Sequence, residues 1–140
     1  MNVGIVLAGG FAKGAYQVGA LKAIREFVPM EDIKYISCAS IGALNGYAYA
    51  TQKLEKAEEM WKGFCGAHES TNVMRLLRSD TLQQIITDLT SPEDKLCCKL
   101  YTAHLLLVEF RHQVGIVVGG SEIEGIVHEA LLRCILELVL

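Results

Sequence analysis

Two apolar runs, each followed at once by a helical pattern, dominate the first 50 residues. Val3 to Leu7 is short and continuous and ends on glycines, and "FAKGAYQVGALKAIREF" then takes helical period. Lys34 to Cys38 is the second run, and "IGALNGYAYATQ" follows it as a helix rich in small residues. Alternating strands and helices predict a parallel sheet with helices packed on it. The right-handed crossover places both strand C-termini on one edge of that sheet. The Gly-rich turn after the first strand and Ser40 after the second are therefore expected side by side. In the first helix Tyr16, Ala20, Ile24 and Phe27 share one stripe, with Leu21 and Ala23 beside it, and this is the predicted buried face.

Further along, "LEKAEEMWKGF" predicts an amphipathic helix with Leu54, Ala57, Trp61 and Phe64 on one stripe and Gly66 as its stop. Asp80 with Gln83 reads as a capping box ahead of "LQQIITDL". "LYTAHLLLVEF" and "QVGIVVGG" read as strands of a hairpin. Ser121 with Glu124 reads as a capping box for a last, strongly apolar helix. The expected organisation is a single domain over residues 1–140.

A composition that is 51% hydrophobic and 21% charged favours a packed core over disorder. The net charge of −3, with no Lys/Arg-rich run, gives no footprint for nucleic acid. Five cysteines (38, 65, 97, 98 and 134) fit no zinc spacing, so no metal and no cofactor are expected. Reduced thiols, a start without a basic leader and no apolar run of about 18 residues predict a cytoplasmic chain.

The turn "AGGFAKGAY" admits two chemistries. Backbone N–H groups at a helix N-terminus can hold a phosphate, or the oxyanion of an acyl-transfer transition state. A dinucleotide site needs an acid at the end of the second strand, and a P-loop needs Gly-Lys-Ser/Thr. The chain offers "SCASIG" in the first place and lacks the second. A serine stands where a ribose-binding acid would be, which favours the oxyanion reading. Ser40, with Gly42 two residues on, suits a nucleophile on a sharp strand-to-helix corner, where small neighbours are required. The plainer alternative is that Ser40 caps the helix.

Together, "GIVLAGGFAKGAYQVGALKAI" and "SCASIGALNG" closely resemble the patatin-like phospholipases, over residues 2 to about 65. The resemblance implies a three-layer α/β sandwich with a mainly parallel sheet, here truncated, and a serine lipid acyl hydrolase. It assigns Ser40 as nucleophile, Gly9, Gly10, Phe11, Ala12, Lys13 and Gly14 as the oxyanion turn, and Cys38 and Gly42 as flanks of the elbow. The implied partner is a lipid or ester substrate met in transient contact with a membrane surface. Separately, the apolar C-terminal helix is a candidate surface for pairing with another copy of the chain, or with a companion chain that supplies the rest of the sheet. Three positions depart from the family pattern. Phe11 replaces a glycine in the turn, and Cys38 replaces the first glycine of Gly-x-Ser-x-Gly, which suggests a slightly more open elbow. The Asp-Gly motif that supplies the family's catalytic aspartate is missing: Asp32, Asp80, Asp88 and Asp94 all stand in other contexts. Residues from about 100 to 140 match nothing in the family. The alternative function is therefore a non-catalytic remnant used in binding or assembly. His68, His104, His112 and His128 are read as surface or core residues rather than as a substitute base.

Overall fold

The computed structural model describes residues 1–10, 13–65, 79–110 and 113–122. Four strands form one sheet in the order β1 (Val3–Leu7), β2 (Ile33–Ala39), β3 (Lys99–Phe110) and β4 (Gln113–Glu122). β1 runs parallel to β2, and β2 parallel to β3, whereas β3 and β4 form an antiparallel pair. The connecting helices are α1 (Gly14–Phe27), α2 (Gly42–Ala50), α3 (Leu54–Cys65) and α4 (Ser79–Leu89), with a short 3-10 turn at Met30–Asp32. The fold is α/β with a mainly parallel sheet, as expected. Among the described residues no helix is long and apolar enough to cross a membrane.

Helix α2 lies at the centre. It packs on β1, β2 and β3 and also touches α1 and α3. All nine of its residues are buried, consistent with a helix that is small and apolar on every side. Ile5, Leu7, Ile33, Ile36, Cys38 and Leu100 supply the sheet's share of the core. Leu54, Ala57 and Trp61 of α3 are buried on the expected stripe. Surface ion pairs tie α1 to α3: Lys22 to Glu58 and Arg25 to Glu55. Hydrogen bonds from Lys22 and Lys62 hold the Glu58 carboxyl down at about 2.

Several expectations are corrected. The buried face of α1 is Gly14, Gln17, Val18 and Leu21, while Tyr16, Ala23 and Phe27 are exposed. Leu21 is buried and Ile24 packs against the core as expected, and the face is shifted toward Gln17, which finds buried hydrogen-bond partners that hydrophobic periodicity cannot register. Asp80 lies inside the first turn of α4, which begins at Ser79. Its charge favours that helix end. Ser121 sits in β4 opposite Thr102, so the ladder and not a helix cap uses its backbone. Gly66, Glu124 and the predicted last helix lie outside the described residues.

At the far end of α2 the Asp94 carboxylate collects three donors. Lys53 and the Tyr47 hydroxyl donate to it, as does the Ser91 N–H at 2.8 Å. Burial pushes the Asp94 carboxyl up, but the bonds from Lys53, Tyr47 and Ser91 outweigh it and leave the group below its ordinary range. Burial first, then Asp94, pushes the Tyr47 phenol up. A carboxylate with a depressed folded pKa contributes stability above its unfolded value, and the contribution is lost as pH falls through the folded one. Asp94→Asn is expected to cost about 2 kcal/mol at pH 7, with the gap from the parent closing below about pH 4. Urea melts of both proteins across that range check the pattern, and a gap independent of pH would contradict it.

Candidate active site

The turn after β1 and the corner after β2 meet at the carboxyl edge of the sheet. A Cβ placed on Gly9 would stand 3.1 Å from Ser40 Cβ and 3.6 Å from the Ala39 carbonyl oxygen. The expected juxtaposition of Gly-rich turn and serine is therefore present. Gly10 takes φ 114°, open to glycine alone without strain, and its carbonyl accepts the Lys13 N–H at 2.9 Å. Lys13 is exposed and precedes the first residue of α1. Phe11 and Ala12 lie outside the described residues.

Ser40 has φ 52°, in the left-handed region. Gln52 shares that conformation, but it lies just past the end of α2, where a left-handed residue closes a helix in the ordinary way. No such account serves Ser40, which lies between a strand and a helix. A non-glycine residue pays about 1–2 kcal/mol there and persists only where its surroundings impose the conformation. The N-cap of α2 is Ile41, without a side-chain cap bond, and the first turn closes through the Ser40 carbonyl, which accepts the Ala43 N–H at 2.8 Å. The capping account of Ser40 thus lacks its hydrogen bond. Ser40 is half-buried, and among the described residues no carboxylate or imidazole is bonded to its hydroxyl.

Glycines on α2 let it press against the sheet. A Cβ on Gly42 would fall 2.6 Å from the Leu7 carbonyl oxygen. One on Gly46 would fall 2.3 Å from Cys38 Sγ and 3.2 Å from Ile36 Cγ2. Cys38 is buried. The space its thiol needs, at a position usually held by glycine, comes from a second glycine one helical turn beyond the corner. Gly46→Ala should cost about 1–3 kcal/mol by overpacking, despite alanine's better helix propensity. Combined with Cys38→Gly, the cost should shrink by at least about 1 kcal/mol, read as a coupling energy in a double-mutant cycle. Strict additivity would contradict the exchange.

A buried polar network ties the two turns together. Asn45, fully buried on α2, donates to the Gly14 carbonyl at 2.9 Å and to Gln17 Oε1 at 3.0 Å, and accepts the Trp61 indole N–H at 3.0 Å. Gln17 donates to the Ala8 carbonyl at 2.6 Å, just before Gly9. Gly14 is compelled by Trp61, whose ring would lie 1.9 Å from a Cβ there. Asn45, Gln17 and Trp61 were not singled out from sequence as site residues. The signal available was Asn45 within the "SIGALNG" run and Gln17 three residues after Gly14.

No aspartate is brought to Ser40 by a hydrogen bond. Asp32 accepts the N-terminal ammonium at 2.6 Å, at the opposite end of β2, about 25 Å away at strand rise. Asp88 accepts from Gln84 at 2.8 Å, Asp80 is exposed on α4, and Asp94 is held at the C-terminal end of α2. His68, His112 and His128 lie outside the described residues. The backbone of His104 follows directly on the Ala39–Ala103 pair of the β2–β3 ladder, at the same sheet edge as Ser40. Two described grooves, between α1 and α3 and between α3 and α4, are lined without Ser40.

Residues 5–95 match the family model described as Patatin-like phospholipase. No curated protein and no solved structure matches the chain.

Proposed function

The chain belongs to the patatin-like phospholipase family, and on that premise we propose that it is a serine lipid acyl hydrolase with Ser40 as nucleophile. The observation that carries the reading is the left-handed backbone of Ser40 at the strand-to-helix corner, with Gly9 packed against it. Strain of this kind at a polar residue, imposed by a close-packed glycine turn, is a mark of sites where backbone geometry serves chemistry.

In this mechanism the Ser40 hydroxyl attacks an ester carbonyl and its proton passes to a base. The tetrahedral oxyanion is held by N–H groups of the Gly9–Gly14 turn, donors that are fixed before the charge develops. The alcohol leaves with a proton, and water then releases the acyl group from Ser40. The Asn45–Gln17–Trp61 network sets the distance between nucleophile and oxyanion turn, since it bonds carbonyls on either side of that turn. Without the family's Asp-Gly base the hydroxyl is a weak nucleophile, and turnover is expected to be slow. Oxyanion stabilisation alone can leave about 10³-fold over water when other parts of such a site are removed.

Short-chain p-nitrophenyl esters test the assignment. The parent is expected to hydrolyse them above the buffer rate and Ser40→Ala to fall to it. Equal rates for the two proteins would overturn the role given to Ser40.

A further inference from the structure

Strand β3 runs further than its neighbour. β2 ends at Ala39, whereas β3 continues to Phe110. The parallel ladder pairs Cys38 with Thr102 and Ala39 with Ala103. One more step along both chains brings His104 level with Ser40, on the strand that lies about 4.8 Å from β2. His104 is the first residue of β3 past the end of β2, at the edge where the Ser40 corner turns off into α2. Local sequence could not bring it there, since only the β2–β3 pairing joins the two positions.

Strand alternation assigns position 104 to a face. Leu100 Cδ1 would lie 3.4 Å from a Cβ on Gly46, so Leu100 is on the α2 side of the sheet, as is Cys38, whose Sγ would meet the same Cβ. Residues two apart along a strand share a face, which puts positions 102 and 104 on that side too. α2 starts at Gly42, two residues after Ser40, so position 104 belongs to the face on which the serine corner is built. Across the antiparallel ladder His104 pairs with Gly119, which adds no side chain on the neighbouring strand at that level.

The aspartates serve elsewhere. Asp32 holds the N-terminal ammonium, Asp94 holds Lys53 and Tyr47, Asp88 accepts from Gln84 and Asp80 lies on α4. A serine hydroxyl without a base is a weak nucleophile. Imidazole is the commonest general base, because an ordinary pKa of about 6.5 leaves it largely neutral at pH 7.

Resting on the reading of Ser40 as nucleophile, we propose that His104 is the general base of this site, in place of the aspartate that the Asp-Gly motif supplies elsewhere in the family. Its unprotonated ring nitrogen accepts the Ser40 proton as Oγ bonds to the acyl carbon. It passes that proton to the alcohol oxygen as the ester C–O bond breaks. It then takes a proton from the attacking water and returns it to Oγ as the acid is released, which leaves the ring neutral again. Next to position 104 stand Cys38 and Ala39 on β2, Gly119 and Gly120 on β4, and the first turn of α2. Of these only Cys38 titrates, as a buried thiol, and none carries a fixed charge.

The test is the rate at which a fluorophosphonate probe phosphonylates Ser40 in the full chain, read by intact mass from about pH 5 to about pH 9. The parent rate should rise with pH through about 6.5 and then level, as neutral imidazole accumulates. His104→Gln should label at least about 100-fold more slowly and lose the inflection. His104→Ala should regain part of the rate when imidazole is added, which a merely structural role would not produce. Ser40→Ala marks the background, and circular dichroism shows whether each variant is folded. If neither histidine variant folds, the parent profile decides, and a rate without an inflection between about pH 5 and about pH 8 overturns the proposal. A labelled parent with folded His104→Gln equally fast overturns the base and leaves Ser40 as nucleophile. A parent unlabelled at every pH overturns both.

Discussion

Asn45→Leu is expected to lose about 3–5 kcal/mol of folding stability, a large share of the roughly 5–15 kcal/mol available to a domain. The side chain is fully buried and serves three partners at once: the Gly14 carbonyl, Gln17 and the Trp61 indole. Leucine fills similar volume but removes three hydrogen bonds inside the core, with the Gly14 carbonyl, Gln17 and the Trp61 indole, each costing about 1–3 kcal/mol. Asn45→Asp separates this account from simple packing. Its carboxylate can still accept from Trp61, but its second oxygen faces the Gly14 carbonyl and Gln17 Oε1, which suits only the protonated form. The folded pKa of that aspartic acid is then raised, so the native state binds more protons than the unfolded one. Stability of the variant should fall as pH rises from about 4 towards neutrality, opposite in sign to the behaviour of Asp94. Urea melts read both effects. A leucine variant within 0.5 kcal/mol of the parent would remove the network from the account.

Gly42→Ala should cost about 2–4 kcal/mol and slow any reaction at Ser40 by more than tenfold. The added Cβ would meet the Leu7 carbonyl oxygen at 2.6 Å. That atom is backbone, so relief requires β1 or the start of α2 to move. Leu7 leads directly into Gly9 and Gly10, so displacement there separates the oxyanion turn from Ser40. Geometric errors of about 1 Å at a reacting centre can cost 10²-fold. The two readouts are separable: a melt gives the stability and labelling of still-folded protein gives the reactivity. Unchanged labelling in the variant would contradict the close approach of helix and strand as the device that sets the site.

The sheet edge was legible in sequence because its signals are local. Apolar runs stopped by glycine and by a serine corner define β1 and β2, and crossover handedness brings their ends together. Val3–Leu7 is observed at the bounds expected. The face of α1 was misread because Gln17 belongs inside for its hydrogen bonds, whereas Tyr16 and Phe27 are exposed despite their hydrophobicity. Ser121 followed by Glu124 had the letters of a cap but a strand claimed the serine. Cys38 was read against its own corner, while the residue that accommodates it, Gly46, lies a helical turn away. Such compensation is spatial and leaves no mark in local pattern. The same holds for the four aspartates, whose partners are set by tertiary contacts.

The proposed function requires that Ser40 be an activated nucleophile in this chain, and intact-mass analysis after exposure to a fluorophosphonate probe tests that directly. The expected result is one adduct on the parent and none on Ser40→Ala. A labelled parent directs the search for the base first to His104, whose backbone reaches the same sheet edge. No adduct on protein shown by circular dichroism to be folded would contradict the account, and the strained corner would then be architecture retained by a binding or assembly domain.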